Sequence, residues 1–199
     1  MRRRIEVART KEFEPDRALD SAMDLFWCQG YEATSVHDLL AEMGIGRGSM
    51  YDTFGDKHTL FLAALDRFEE TRASRADEIL ASSASAVEGI RRLFETTIEG
   101  LVSYEPRRGC LLANTAVELA PHDEEVAGRI SRYVRRTEDA FERALVRGRA
   151  AGEVPANKDP KALARFLVST LHGVRVLARA GVDRAVLDDS VRTALEVLR

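Results

Sequence analysis

Cysteine is scarce in this sequence, and the scarcity excludes two architectures. Cys28 and Cys110 are the only two in 199 residues and stand far apart, so neither a disulfide framework nor a four-ligand zinc site is expected. No uninterrupted apolar run approaches the roughly 20 residues that cross a bilayer, so no membrane partner is expected. The basic opening Met1-Arg2-Arg3-Arg4 is not followed by an apolar signal core, which makes a cytoplasmic location the expectation. A glycine-rich phosphate loop, a nucleophile elbow and a histidine pair at metal-ligand spacing are all missing. His37, His58 and His172 are scattered, and the consecutive His122, Asp123 and Glu124 are poorly spaced to converge on one ion. Catalysis therefore has no candidate residues, and neither a metal nor another cofactor is expected. Positive charge is short as well: 30 Lys and Arg face 33 Asp and Glu, a formal charge of -3. The first 60 residues carry eight basic side chains against eleven acidic ones. A nucleic acid would have to be held by local placement of cations, not by a basic domain.

What the chain has is helix. Its 45% hydrophobic content is ordinary for a globular protein with a real core. Apolar residues recur with helical spacing, and no stretch sustains strand-like alternation. Pro15 suits a first helical turn. Leu19, Ala22, Met23 and Phe26 then share one face, and Gly30 supplies a stop. A second helix starts from Thr34 or Ser35, places Val36, Leu39, Leu40 and Met43 together and ends at Gly44. A third runs from Arg47 to about Thr53 with Met50 inward. Asp56 caps a fourth, on which Phe61, Ala64, Leu65 and Phe68 repeat the spacing. Further helices are expected near 86–104, over 110–119, and from Asp123 to about Gly152. Two more follow, over 159–180 from the Asp159-Pro160 start signal and over 184–198. The expected fold is all-α: a three-helix helix-turn-helix domain over 1–56, then a helical bundle over 57–199, about nine helices in all.

Two short helices joined through Gly44-Ile45-Gly46 carry the function. A short turn containing glycine is what helix-turn-helix geometry needs, and the second helix then offers its first residues to base edges in a major groove. That helix opens Arg47-Gly48-Ser49. Arginine can bond a guanine edge with two parallel donors, serine can bond a base or phosphate, and glycine permits close approach. Tyr51 presents a hydroxyl on a rigid arm suited to a phosphate oxygen.

These residues belong to a longer pattern. Ala22, Leu25, Phe26, Gly30, Tyr31, Thr34, Ser35, Val36, Leu39, Ala41, Gly44, Gly48, Ser49, Met50, Tyr51, Phe54, Lys57 and Leu60 fall ungapped within Ala18 to Leu62. The stretch resembles the DNA-binding domain of the tetracycline-repressor (TetR) family. The resemblance implies that Arg47, Ser49 and Thr53 reach base edges, that Tyr51 and Lys57 contact phosphates, and that Ser35 and His37 meet the backbone and occasional bases. It implies a homodimer on a palindromic double-stranded operator, paired through the last two helices, about 159–198. It further implies a small-molecule effector that releases a repressor from DNA. The chain departs from the common pattern in its acidic first domain and in Asp52 beside the contact face. Arg2, Arg3, Arg4, Arg9 and Lys11 are expected to compensate along phosphates or in a minor groove.

The C-terminal half yields weaker candidates. Thr97, Asn114, Thr115 and Glu118 are polar among apolar neighbours, a mixture that suits an enclosed site and equally suits ordinary surface turns. Arg108-Gly109-Cys110-Leu111-Leu112-Ala113-Asn114 looks like a motif of a TetR subgroup in which some members use this cysteine to sense electrophiles or oxidants. A helix start at Cys110, with Arg107 and Arg108 nearby, would favour its thiolate. The alternative is an inert buried cysteine packed as a small hydrophobe. His172 is read as a core or pocket histidine. The rival to a regulator is a helical adaptor without specific DNA binding, in which Arg47 and Tyr51 would be dispensable.

Overall fold

A computed structural model describes residues 13–103 and 108–199; the basic arm carrying Arg2, Arg3, Arg4, Arg9 and Lys11, and Arg107, lie outside them. Among the described residues there is no strand, and ten α-helices follow one another: α1 (Pro15–Gln29), α2 (Val36–Met43), α3 (Arg47–Phe54), α4 (Lys57–Phe68), α5 (Ser74–Ser82), α6 (Ala86–Val102), α7 (Leu111–Glu118), α8 (Glu124–Ala150), α9 (Pro160–Arg179) and α10 (Arg184–Glu196). A five-residue π-helical turn, Glu69–Ala73, makes α4 and α5 one continuous rod, so the described residues form nine separate rods. None is long and apolar enough to cross a membrane.

Local chemistry sets the ends. Pro15 sits in the first turn of α1, and Gly30 leaves it at φ 87°, a conformation that glycine alone takes without strain. Ser35 caps α2 reciprocally: its Oγ accepts from the Asp38 amide at 3.1 Å, while the Asp38 carboxylate accepts from the Ser35 amide at 3.0 Å. Gly44 closes α2 in the left-handed conformation, φ 65°, ψ 31°. Asp56 and Asp123 cap α4 and α8 by accepting from the Thr59 and Val126 amides.

Packing forms two cores. The first gathers Met23, Phe26, Leu39, Met50, Phe61 and Leu65 from α1–α4, and it also takes in Cys110, Leu111 and Leu112 at the start of α7. The second joins α5, α6, α8, α9 and α10 around Phe94, Phe141, Leu167, Leu171 and Leu187. α1–α3 are thus packed onto the rest of the chain through α4 and α7. Arg129 on α8 pairs with Asp66 on α4 at 3.1 Å, and Arg136 pairs with Asp77 on α5 at 3.0 Å.

Candidate nucleic-acid interface and the cavity behind it

α3 has one side chain in the core and most of the others outside it. Met50 is fully buried and pins the helix; a methionine so placed contributes about 1.5–3 kcal/mol. Around it Arg47, Gly48, Ser49, Tyr51 and Asp52 are exposed, with Tyr51 at 44%, while Thr53 and Phe54 are half-buried. Gly46, at the N-cap of α3, has no side chain to cap it, and among the described residues the first amides of the helix are left open to a partner. A Cβ on Gly48 would meet nothing within 4 Å among the described residues, so their packing does not demand glycine there. Ser35 and His37 stand at the start of α2, both exposed, with Ser35 engaged in its capping box. Lys57, the first residue of α4, holds its ammonium 4.2 Å above the Tyr31 ring, an arrangement that restrains the side chain and keeps its charge at the surface. The eight candidate DNA contacts therefore come from α2, α3 and the first turn of α4.

Behind this unit lies a cavity of about 220 Å³, walled by α1, α4, α5, α6, α7 and α9. Trp27, Phe68, Thr97, Leu101, Cys110 and Arg175 are among the residues lining it. Thr97 and Cys110 of the sequence candidates meet there. Cys110 is buried at the N-cap of α7, one residue before its first helical turn. Asn114 does not line the cavity; its amide donates to the carbonyl of the lining residue Arg108 at 3.0 Å. Glu118 is elsewhere. Its carboxylate accepts from the backbone amides of Tyr31 at 3.2 Å and Glu32 at 2.9 Å, at the turn between α1 and α2. A Cβ on Gly30 would come within 2.9 Å of the same carboxylate, so glycine there serves close approach as well as backbone conformation. A second contact of this kind lies nearby, where His58 of α4 and the α8 cap Asp123 meet at 2.6 Å.

His172 stands one turn before Arg175 on α9, edge-on to Tyr133 at 5.9 Å, and is not part of the cavity wall. Its Nε2 is buried and has no hydrogen-bond partner among the described residues. Burial first, then the Arg175 charge, lower its pKa from 6.5 to about 4, so the ring is neutral at pH 7. Because the unfolded chain takes up this proton near pH 6.5 and the folded one only near pH 4, stability falls as pH drops through that window. For a ring that is not wholly enclosed the loss is about 2 kcal/mol. His172→Gln is expected to flatten that part of a urea-unfolding profile against pH; an unchanged slope would remove His172 as its source.

Sequence reasoning missed Arg175. Its Nη1 donates to the Tyr133 hydroxyl at 2.7 Å, and the side chain faces the cavity. The available signal was a lone arginine on the inward stripe of α9, between Leu171 and Ala178.

Comparison with known proteins fits this geometry. Residues 18–64 match the family model of bacterial regulatory proteins of the tetR family, and residues 86–194 match the tetracyclin repressor-like C-terminal domain. The chain is 36% identical over 193 residues to the HTH-type transcriptional regulator YezE of Bacillus subtilis (strain 168), covering 96% of this chain and all of that one. It is 32% identical over 190 residues to the HTH-type transcriptional repressor ComR of Escherichia coli (strain K12), covering 95% and 90% of the two. Among solved structures, a triple cysteine variant of the TetR family regulator CifR, complexed with a 26-base-pair operator, superposes with a TM-score of 0.87 at 33% identity. That match covers 96% of this chain and all of the other.

Proposed function

This chain belongs to the TetR family of bacterial regulatory proteins, and we propose that it works as a homodimeric transcriptional repressor which a small molecule releases from a palindromic operator. Residues 1–56 read the DNA; residues 57–199 receive the effector and pair the protomers. It acts in the cytoplasm, by binding and without a catalytic step.

The observation that carries this reading is the outer face of α3, anchored by buried Met50 and otherwise open to a partner. Arg47, Ser49 and Thr53 reach base edges, Gly48 lets the helix sit deep in the groove, and Tyr51 and Lys57 hold phosphates. Ser35 and His37 meet the backbone at the start of α2. The second copy joins on α9 and α10, where Phe166 (41%), Val176 (51%) and Val186 (49%) expose apolar surface in the single chain.

α7 is the lever between effector and DNA. Cys110 at one end borders the cavity, and Glu118 at the other holds the turn before α2. In the cavity Thr97 and Cys110 touch the effector, Asn114 holds the Arg108 carbonyl, and His172 stands behind Arg175. An effector that binds one position of α7 better shifts the turn with it and changes the spacing of the paired α3 helices. The coupling available to such a device is typically about 1–3 kcal/mol. Glu118→Ala removes both acceptors at once. The Tyr31 and Glu32 amides are then expected to exchange with solvent about tenfold faster or more, with the Leu60 amide unchanged. Unaltered exchange would mean that Glu118 does not hold the turn.

The regulator reading is tested by a gel shift with DNA upstream of the protein's own gene, at stated salt. Retention of that DNA over random sequence is expected. Retention only at very low salt, and of random DNA alike, would favour a helical adaptor instead.

A further inference from the structure

We propose that the effector is a small organic acid, its carboxylate paired with the guanidinium of Arg175 and its apolar part laid against Trp27, Phe68 and Leu101. The inference rests on the cavity being the effector site and names the chemistry that site selects.

Charge in the cavity is one-sided. Among the described residues Arg75, Arg108 and Arg175 line it, and no Asp or Glu does. Arg108 is engaged, pairing with Asp24 at 3.2 Å and lying 5.8 Å from the centre of the Trp27 ring. Arg75 is exposed at the mouth. Arg175 is the cation at depth, on the stripe of α9 that carries buried Leu171, Val174 and Ala178. Its polar contact among the described residues is the phenol of Tyr133, and no carboxylate there lies within ion-pair reach. The phenol supplies no charge, since burial pushes its pKa above the ordinary value and keeps the hydroxyl protonated. Nor does His172 supply any, being neutral at pH 7.

A guanidinium in such a place carries a desolvation penalty, which the neighbouring Cys110 sulfur and Tyr133 phenol oppose, and it cannot shed its proton. An entering carboxylate offsets it. The bond to Tyr133 uses one of five N–H donors, and the remaining fork matches the two oxygens of a carboxylate. The Thr97 hydroxyl offers a further polar contact on the same wall. Size limits the remainder of the ligand. About 220 Å³ is below the roughly 300–1,000 Å³ of sites for drug-sized molecules, and aromatic and aliphatic side chains line much of the wall. A short apolar acid fits that volume.

The test compares acids with their own amides, which share shape and lack charge. Thermal unfolding of the full-length protein is followed with a series of carboxylates from propionate to octanoate, with benzoate, and with the matching amides. At least one acid is expected to raise the melting temperature, with an affinity at least about tenfold above that of its amide. Arg175→Met, similar in volume, is expected to abolish the preference, and Arg175→Lys to retain part of it. Thr97→Phe, which keeps Arg175 and fills the space, is expected to lose the response, so the question stays decidable if Arg175→Met fails to fold. Amides binding as well as acids, no response to any acid in the series, or an acid response surviving Thr97→Phe would each overturn the proposal. Operator binding measured on the same samples without ligand tests the regulator reading separately.

Discussion

Arg47→Ala is expected to weaken operator binding by roughly 1–3 kcal/mol at each half-site, about five- to 150-fold, and to relax sequence preference at the contacted base pair. Stability should change by no more than about 0.5 kcal/mol, because Arg47 is exposed at the first position of α3 and alanine favours helix. The separation of the two effects is what makes the variant informative. Fluorescence anisotropy with labelled operator gives the affinity, and urea unfolding gives the stability. Replacing the contacted base pair should weaken wild-type binding by a similar amount and leave the variant almost indifferent. Equal losses on specific and random DNA would make Arg47 a phosphate contact. No loss on either would remove α3 from the interface.

Phe166→Glu should also weaken DNA binding strongly, although it lies far from α3 in the sequence. Phe166 is 41% exposed on α9 and borders a groove with Thr170, Val186 and Ala194. In the proposed dimer that groove is covered, so a carboxylate there would lose water without gaining a partner. Light scattering is expected to show monomer at concentrations where the wild type is dimeric, with far-UV circular dichroism unchanged. Operator affinity should fall by about 10²–10⁴, the avidity lost when two linked half-site contacts become one. An intact dimer would place the pairing face elsewhere. A monomer that binds as tightly as the wild type would contradict reading by a symmetric pair.

Local signals made most of the fold legible. Pro15, Gly30, Ser35, Gly44, Asp56, Asp123 and the Asp159-Pro160 start mark helix ends within a residue or two, because capping is settled by a few neighbouring residues. The apolar spacing of α1, α2 and α4 likewise picks out Ala22, Phe26, Leu39 and Phe61, which are fully or almost fully buried. α3 was readable for the same reason: its exposed candidate residues and its buried anchor alternate within one short segment.

The cavity was less readable, since its parts lie far apart along the chain. Trp27 reaches it from α1, where its indole donates to the Gly109 carbonyl at 3.1 Å, 82 positions away. Glu118 meets Tyr31 across 87 positions, a pairing that no periodicity in α7 announces. From sequence Glu118 was a polar residue among apolar ones and suited a pocket; its oxygens are instead bonded to backbone amides beside α2. Arg175 carries the opposite lesson. One charge on the inward stripe of a long helix was visible in the sequence, and its meaning depended on what stood across from it.

Chemical protection of guanine N7 across the operator, with wild type and Arg47→Ala side by side, tests the central claim most directly. Two protected patches in successive major grooves are expected, separated by one helical turn of about 34–36 Å or a whole multiple of it, with the Arg47-dependent guanine lost from both in the variant. Protection confined to one patch, or identical in the two proteins, would contradict reading by a pair of α3 helices.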